Sequence, residues 1–236
     1  METKIDGTKK EQEKAIEYYD KISGIYDFIS NWYYKNARKY AIEKLKIVKG
    51  QTVLNLPCGT GVNFKHFQKY LKNSGLIIGI DLSKGMLEQA ERKTKKNGWM
   101  NIDLVLENAT KIDQIWFEEY SKSNEQNKVD AVFCDLGLSG LPEWQNIIDN
   151  MISILEPNGR IVILDWYLEK SSPLAKFVKW IGKGEVDRPL WQYLKTKVSD
   201  FELEKFGFFD GIFVVSGTKK GIKPAGNNVY KSLGEW

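Results

Sequence analysis

The chain has 236 residues, of which 42% are hydrophobic, and its net charge is only +4. That length suits one α/β domain, and the small net charge argues against an extensive nucleic-acid-binding surface. No segment reaches the roughly 18 consecutive apolar residues of a membrane-spanning helix, and residues 1–17 lack the apolar run of a secretory signal, so we expect a cytoplasmic protein.

Residues 1–50 are predicted to form a helical cap ahead of the main sheet. Segment 18–27, YYDKISGIYD, resembles the opening of quinone C-methyltransferases and bacterial phospholipid N-methyltransferases. In such enzymes this helix lies across the mouth of the cofactor site. The resemblance therefore implies that Tyr19 and Tyr26 contact cofactor or substrate and take part in catalysis. The alternative is that both tyrosines only pack the helix onto the sheet.

A glycine-containing turn follows the first predicted strand. Residues 52–61, TVLNLPCGTG, run from a short apolar strand into Gly-Thr-Gly, and a helical pattern follows over 62–71. Backbone N–H groups at such a turn point outward, and the helix dipole adds positive potential. Asp81, twenty residues beyond Gly61, ends a second strand, where its carboxylate can accept two hydrogen bonds from a ribose diol. Together these features predict a site for a nucleoside-bearing cofactor.

The same stretch narrows the kind of cofactor. It contains no P-loop lysine, and Phe64 stands where the dinucleotide fingerprint has its third glycine. It resembles motif I of class I S-adenosylmethionine (SAM) dependent methyltransferases, which implies SAM as the cofactor. Asn55 replaces the usual acid of that motif and Pro57 replaces its first glycine. Asn55 can accept a hydrogen bond from the methionyl ammonium but adds no charge, and Pro57 has no N–H. We expect SAM binding to survive, with weaker affinity as one outcome.

The resemblance implies further cofactor contacts at the ends of later strands. Segment 81–87, DLSKGML, resembles motif II, whose acid binds the ribose hydroxyls, although Asp81 could also cap a helix predicted over 84–97. Met86 is predicted to be half core and half lid over the adenine edge. Residues 103–109 look like the third strand and its tip, where Asn108 either accepts the adenine amino group or is a turn residue. The full implied set is Asn55, Pro57, Cys58, Gly59, Thr60, Gly61, Asp81, Leu82, Met86, Asn108, Ala109 and Asp135.

The fourth predicted strand, Val129–Asp135, should end beside the first strand, where ligands bind in doubly wound sheets. Asp135 would then lie next to the sulfonium methyl group, and it is our candidate for accepting a proton during catalysis. An amphipathic helix over 141–155, a turn over 156–160 and a central apolar strand over 161–166 follow. The segment that leads into this strand, residues 155–163 (LEPNGRIVI), is typical of these methyltransferases.

The fold class follows from this order of elements. Residues 201–206 and 212–218 flank a glycine-bounded turn and predict a closing antiparallel hairpin. The whole pattern predicts a Rossmann-like, doubly wound α/β sheet of seven strands, mostly parallel with an antiparallel last strand. We interpret residues 1–218 as a single domain, with a substrate-side insertion over 166–198 and a C-terminal tail over 219–236.

The insertion and the cap suggest the kind of substrate. Residues 166–198 interleave Trp and Tyr with Lys and Arg, a pattern that suits an anionic membrane surface. RNA binding and a solvated lysine face over an ordinary aromatic core are the alternatives. We expect methyl transfer to a hydrophobic or amphipathic small molecule, such as a phospholipid head-group amine or a prenylated quinone, with peripheral contact at a membrane surface. Methylation of a soluble metabolite and a non-catalytic, SAM-binding partner subunit are the other hypotheses.

Other catalytic chemistries lack the residues that they need. His66 is the single histidine, so a histidine-based dyad or a zinc site has no partners, and it should be a partly exposed helix residue. Cys58 and Cys134 do not make a metal site, so we expect reduced structural thiols and no metal. The run Gly137-Leu138-Ser139-Gly140-Leu141 misses the nucleophile elbow of hydrolases by its last residue.

Overall fold

The computed structural model describes residues 33–124, 128–141, 143–168, 187–207 and 210–221. The predicted roles of Tyr19 and Tyr26 fall outside those ranges. So do the predictions for most of the insertion over 166–198 and for the tail after residue 221.

Strands and helices alternate along the described chain, as expected for an α/β fold. The strands are β1 (Thr52–Asn55), β2 (Leu76–Asp81), β3 (Ile102–Leu106), β4 (Val129–Asp135), β5 (Leu155–Trp166), β6 (Val198–Phe206) and β7 (Ile212–Lys219). The α-helices are α1 (Lys35–Lys44), α2 (Phe64–Leu71), α3 (Lys84–Asn97), α4 (Gln114–Asn124), α5 (Trp144–Ile154) and α6 (Leu190–Lys197). Single 3₁₀ turns follow β3 and β4, at Ala109–Lys111 and Leu138–Gly140.

The seven strands form one sheet in the order β3-β2-β1-β4-β5-β7-β6. Strand β7 is antiparallel to both of its neighbours, whereas the pairs among β1 to β5 are parallel. The predicted fold class is therefore confirmed. The chain builds outward from β1 to β3 and then returns to place β4 on the other side of β1. This reversal opens a crevice at the carboxyl ends of β1 and β4, which is where ligands bind in such sheets.

The sheet has a separate hydrophobic core on each face. In β1, Leu54 packs into one core and Val53 into the other, because successive side chains of a strand point to opposite faces. Helices α1, α2 and α3 cover the core that contains Val53 and Phe64. Helices α4, α5 and α6 cover the core that contains Leu54 and Ile148. Two covered faces explain why the central strands read as continuous apolar runs.

Local chemistry explains where the elements begin and end. The Ser83 side chain accepts a hydrogen bond from the Met86 backbone N at 3.1 Å, and Gly98 ends the same helix with φ +64°. The predicted bounds of that helix, 84–97, are confirmed. The turn predicted over 156–160 is wrong, because these residues lie inside β5 as a bulge. Between consecutive pairings β5 advances from Leu155 to Arg160 while β4 advances only from Val129 to Ala131.

Among the residues that the structure describes, no helix is both long enough and apolar enough to cross a bilayer.

Candidate functional site

The glycine turn after β1 closes onto the end of β2. Asp81 Oδ2 accepts a hydrogen bond from the Gly59 backbone N at 2.8 Å, and Asp81 Oδ1 accepts one from the Ser83 backbone N at 2.9 Å. The Cys58 backbone N donates to the Ile80 carbonyl oxygen at 2.8 Å. Two predicted site segments, separated by more than twenty residues of chain, are thus joined at the carboxyl edge of the sheet.

The turn needs glycine for space as well as for backbone conformation. Gly61 has φ +72°, and a Cβ atom there would lie 2.6 Å from Cε2 of the Phe64 ring. Thr60 is buried, and its side-chain and backbone oxygens both accept hydrogen bonds from Lys93 Nζ at 2.8 Å. The turn is therefore fixed to helix α3, with its backbone close to the aromatic start of helix α2.

Pro57 and Asn55 hold the two positions at which the motif departs from its usual form. The Pro57 ring packs against Gly137, where a Cβ atom would lie only 2.4 Å from the ring. Asn55 Nδ2 donates to the carbonyl oxygens of Pro57 at 3.1 Å and of Phe133 at 3.2 Å. A carboxylate at position 55 would face these two oxygens without a proton to donate, so the local structure itself favours asparagine.

A buried ion pair lies at the end of β4. Asp135 Oδ2 accepts hydrogen bonds from Arg38 Nε at 2.6 Å and from Asn63 Nδ2 at 2.9 Å. The Arg38 and Asp135 side chains are only 4% and 3% exposed, so solvent screens this pair weakly. Arg38 belongs to α1, so this pair ties α1 to the carboxyl edge of the sheet. The proton-accepting role expected for Asp135 stays a prediction.

A second carboxylate lies at the same edge on β5. Asp165 is fully buried, and it accepts hydrogen bonds from the backbone N of Ser139 at 3.0 Å and of Trp166 at 2.8 Å. Burial raises the pKa of Asp165 to about 6, and the nearby Asp135 carboxylate adds to this rise. Sequence reasoning did not select Asp165.

The tip of β3 lies next to Asp81. The Glu107 backbone N donates to the Asp81 carbonyl oxygen at 3.2 Å. Asn108 Oδ1 accepts a hydrogen bond from the Thr110 backbone N at 3.1 Å, so Asn108 caps the following 3₁₀ turn. The Glu107 carboxylate accepts from the Asn108 backbone N at 2.7 Å, and this bond lowers the pKa of Glu107. Asn108 therefore acts as a turn residue whose side chain has a hydrogen-bond partner, Thr110. Its adenine-binding role stays a prediction.

The remaining predicted contacts flank the same turn. Met86 and Ala109 are buried and Leu82 is half-buried. Met86, at 3% exposed, belongs to the core more than to a lid. Burial raises the pKa of the Cys58 and Cys134 thiols well above its ordinary value, which keeps both thiols protonated and unreactive. Both are free cysteines.

An aromatic cluster stands beside this edge, at the end of β5. The Tyr33 and Trp166 rings stack at 5.7 Å with an interplanar angle of 10°. Trp166 Nε1 donates to the Tyr34 hydroxyl oxygen at 2.9 Å. Burial raises the pKa of Tyr34, so this hydroxyl stays neutral. The cluster forms a half-buried aromatic wall at the end of β5, and the Arg38 guanidinium carbon lies 5.4 Å from the Tyr34 ring centroid.

Three residues of this edge were missed by sequence reasoning. Asp165 had a signal that was available, because like Asp81 and Asp135 it lies at the carboxyl end of an apolar strand. Asn63 had a weaker one, as a polar residue at the buried start of an apolar helix face. Arg38 had no local signal, since its partner lies 97 residues away along the chain.

Comparison with known proteins agrees with this geometry. Residues 47–198 match a family model described as a methyltransferase domain. The demethylmenaquinone methyltransferase of Staphylococcus saprophyticus is 30% identical over 161 residues, which cover 66% of this chain and 64% of that protein. The demethylmenaquinone methyltransferase of Oceanobacillus iheyensis is 26% identical over 147 residues, which cover 62% of this chain and 58% of that protein. The matches thus span about three fifths of these curated relatives.

A solved structure shares the fold at low sequence identity. The phosphoethanolamine N-methyltransferase 2 of Haemonchus contortus, solved in complex with SAM, superposes with a TM-score of 0.64 at 14% identity. That likeness covers 82% of this chain and 56% of the other. At such identity the likeness concerns the fold and not the substrate.

Proposed function

The chain belongs to the methyltransferase domain family whose model matches residues 47–198, and from this premise we propose that it transfers a methyl group from SAM to a prenylated quinone. The observation that carries the cofactor part of the proposal is the Gly59–Asp81 hydrogen bond at 2.8 Å, which joins the glycine turn to a carboxylate at the tip of the neighbouring strand. A carboxylate so placed suits a ribose diol, and SAM is the cofactor of this family.

The residues present fit SAM at the switch point of the sheet. Buried acceptor oxygens of Asn55 and Asp135 have no hydrogen-bond donor in the described structure, whereas SAM brings an ammonium and ribose hydroxyls. Asp81 would hold the ribose. The turn from Cys58 to Gly61 would line the cofactor, with Gly61 allowing close backbone approach. Asn108 and Ala109 would flank the adenine.

Two independent observations support a prenylated quinone as the methyl acceptor. The two relatives described above, at 26% and 30% identity, are named demethylmenaquinone methyltransferases. The aromatic cluster of Tyr33, Tyr34 and Trp166 offers flat apolar faces at the same edge, which suit a fused ring. A prenylated quinone resides in a membrane, so the proposal includes peripheral contact of the protein with a membrane surface.

The chemistry places modest demands on the protein. The sulfonium of bound SAM is already activated toward nucleophiles. The side chains must therefore align the acceptor atom with the S–CH₃ bond and exclude water. The Trp166 wall and the buried Arg38–Asp135 pair provide a fixed environment for both tasks. Methylation of a ring carbon of the reduced quinone would release the proton of that carbon. Because Asp135 Oδ2 already accepts hydrogen bonds from Arg38 and Asn63, we favour solvent as the acceptor of this proton and Asp135 as a fixed charge.

The test supplies SAM with an isotopically labelled methyl group and compares acceptors. We expect label in a short-chain demethylmenaquinone, offered in its reduced form, and none in phosphatidylethanolamine vesicles. Label in phosphatidylethanolamine alone would replace the quinone by a lipid amine. Equal transfer to a quinone without its prenyl chain would indicate a soluble acceptor. Binding of SAM without transfer to any acceptor would support a partner subunit and overturn the catalytic proposal.

A further inference from the structure

Three buried oxygen atoms at one edge of the sheet lack a hydrogen-bond donor. Among the residues that the structure describes, Asn55 Oδ1, Asn63 Oδ1 and Asp135 Oδ1 are buried without a partner. The three residues are 0%, 1% and 9% exposed, so water does not readily satisfy them. Leaving a buried polar atom unpaired costs about 1–3 kcal/mol. Three such atoms at one edge require hydrogen-bond donors from outside the described side chains.

The three oxygens belong to side chains that are all tied to the end of β4. Asn55 Nδ2 bonds to the carbonyl oxygen of Phe133, its register partner on β4. Asn63 Nδ2 bonds to Asp135 Oδ2, two residues further along the same strand. The unpaired atoms are thus anchored at the carboxyl ends of β1 and β4, at the topological switch point where ligands bind.

A ligand that satisfies these three oxygens must donate hydrogen bonds, and a positive charge on it would complement the Asp135 carboxylate. All three atoms accept hydrogen bonds, and one belongs to a carboxylate. An ammonium group presents three donors and one positive charge, which matches both the number and the charge of these acceptors. A hydroxyl presents one donor and would leave two acceptors unpaired.

Position 55 cannot supply the negative charge. Asn55 Nδ2 donates to two carbonyl oxygens, so an acid at this position would place a carboxylate against them. Asp135 does not have this conflict, since both of its donors, Arg38 Nε and Asn63 Nδ2, approach the other oxygen, Oδ2. Arg38 thereby positions Asp135 with Oδ1 available, without itself donating to that atom.

Building on the proposed function, we propose that Asn55, Asn63 and Asp135 together bind the α-ammonium of the methionyl group of SAM. Asp135 supplies the charge that an acid at position 55 would otherwise supply. Arg38 is a positioning residue that fixes the Asp135 carboxylate. In this chain the charge of the cofactor site therefore lies on β4 rather than on β1.

The experiment uses two ligands that differ only in the ammonium. S-Adenosylhomocysteine and its des-amino analogue are titrated calorimetrically into wild-type protein and into Asp135→Asn. We expect Asp135→Asn to weaken binding of S-adenosylhomocysteine at least about tenfold, as for loss of one charged hydrogen bond. Binding of the des-amino analogue should change by less than about twofold. The matched control, Asp81→Asn, should weaken both ligands by the same factor.

A second variant is needed because Asp135→Asn could fail to fold. Asp135→Asn removes the Asp135 charge from the buried pair while Arg38 keeps its own, which can cost about 3–5 kcal/mol of stability. The double variant Arg38→Gln, Asp135→Asn removes both charges and should show the same selective loss. Equal losses for both ligands, or none, in a folded variant would overturn the inference alone. Wild-type protein that binds neither ligand would overturn the proposed function as well.

Discussion

Asp81 accepts a hydrogen bond from the Gly59 backbone N at 2.8 Å, so the end of β2 and the turn after β1 form one rigid edge. The carboxylate has a structural partner on each oxygen, since Oδ1 accepts from the Ser83 backbone N at 2.9 Å. Each carboxylate oxygen can accept a further hydrogen bond, so these backbone contacts orient Asp81 without using up its capacity.

Replacing Asp81 tests the cofactor site directly. We expect Asp81→Asn to weaken S-adenosylhomocysteine binding about tenfold to hundredfold, because charged hydrogen bonds are worth about 1.5–3 kcal/mol. Calorimetric titration measures the loss. Asp130→Asn is the matched control, since Asp130 accepts from the Thr52 backbone N at 2.7 Å but at the opposite edge of the sheet. Similar losses in the two variants would contradict a specific role for Asp81.

Substitution at Gly61 tests the packing of the turn. Gly61→Ala imposes φ +72° on a residue with a Cβ atom that lies 2.6 Å from the Phe64 ring. Gly98→Ala imposes φ +64° with no neighbour within 4 Å, so it isolates the backbone strain. We expect Gly98→Ala to cost about 1 kcal/mol and Gly61→Ala about 1–3 kcal/mol more. Urea denaturation measures both, and equal costs would show that the ring moves aside freely.

The buried carboxyl of Asp165 makes stability depend on pH. Its folded-state pKa of about 6 lies above the ordinary 3.8, so the folded protein keeps a proton that the unfolded chain loses. Stability is then lost as pH rises from about 4 to 6, by about 3 kcal/mol in total, and the loss levels off above that. In Asp165→Asn this slope should disappear. Parallel pH profiles of the free energy of unfolding for the two proteins would refute the shift.

His66, as the single histidine, gives a direct spectroscopic test. Burial lowers its pKa from 6.5 to about 4, and the positive charges of Lys65 and Lys69 add to this fall. We expect the imidazole resonance to titrate near pH 4 in the folded protein and near pH 6.5 in urea. Lys69→Gln should raise the folded midpoint. A folded midpoint near 6.5 would mean that the imidazole is fully solvated.

The sequence predicts most of the fold because each element carries its own local signals. Strand β4 is bounded by residues 129 and 135 as expected, since an apolar run of that length stands between polar segments. Helix α3 is bounded by Ser83 and Gly98, whose capping roles are local. The bulge in β5 was missed because Asn158 and Gly159 read equally well as a turn.

The candidate site likewise contains residues whose positions can be predicted from the sequence and residues whose positions cannot. The positions of Gly59, Gly61 and Asp81 at one edge could be predicted, because their spacing along the chain reflects their place on adjacent strands, while their role in binding the cofactor stays a prediction. The Arg38–Asp135 pair and the Asn63 contact could not be found, because each depends on how distant elements pack. Nothing in residues 35–44 alone distinguishes Arg38 from the other basic residues of that helix.

The Arg38–Asp135 contact couples the packing of helix α1 on the sheet to the affinity of the carboxyl edge of the sheet for a cation. Any free energy by which a cation at Asp135 alters the packing of α1 must reappear, unchanged in size, as an effect of α1 on cation affinity. Hydrogen exchange of the α1 amides therefore reports ligand occupancy at a distance from the ligand. Substitutions in α1 that change its packing can thus shift the concentration range over which the cofactor binds, without altering any residue that touches the cofactor.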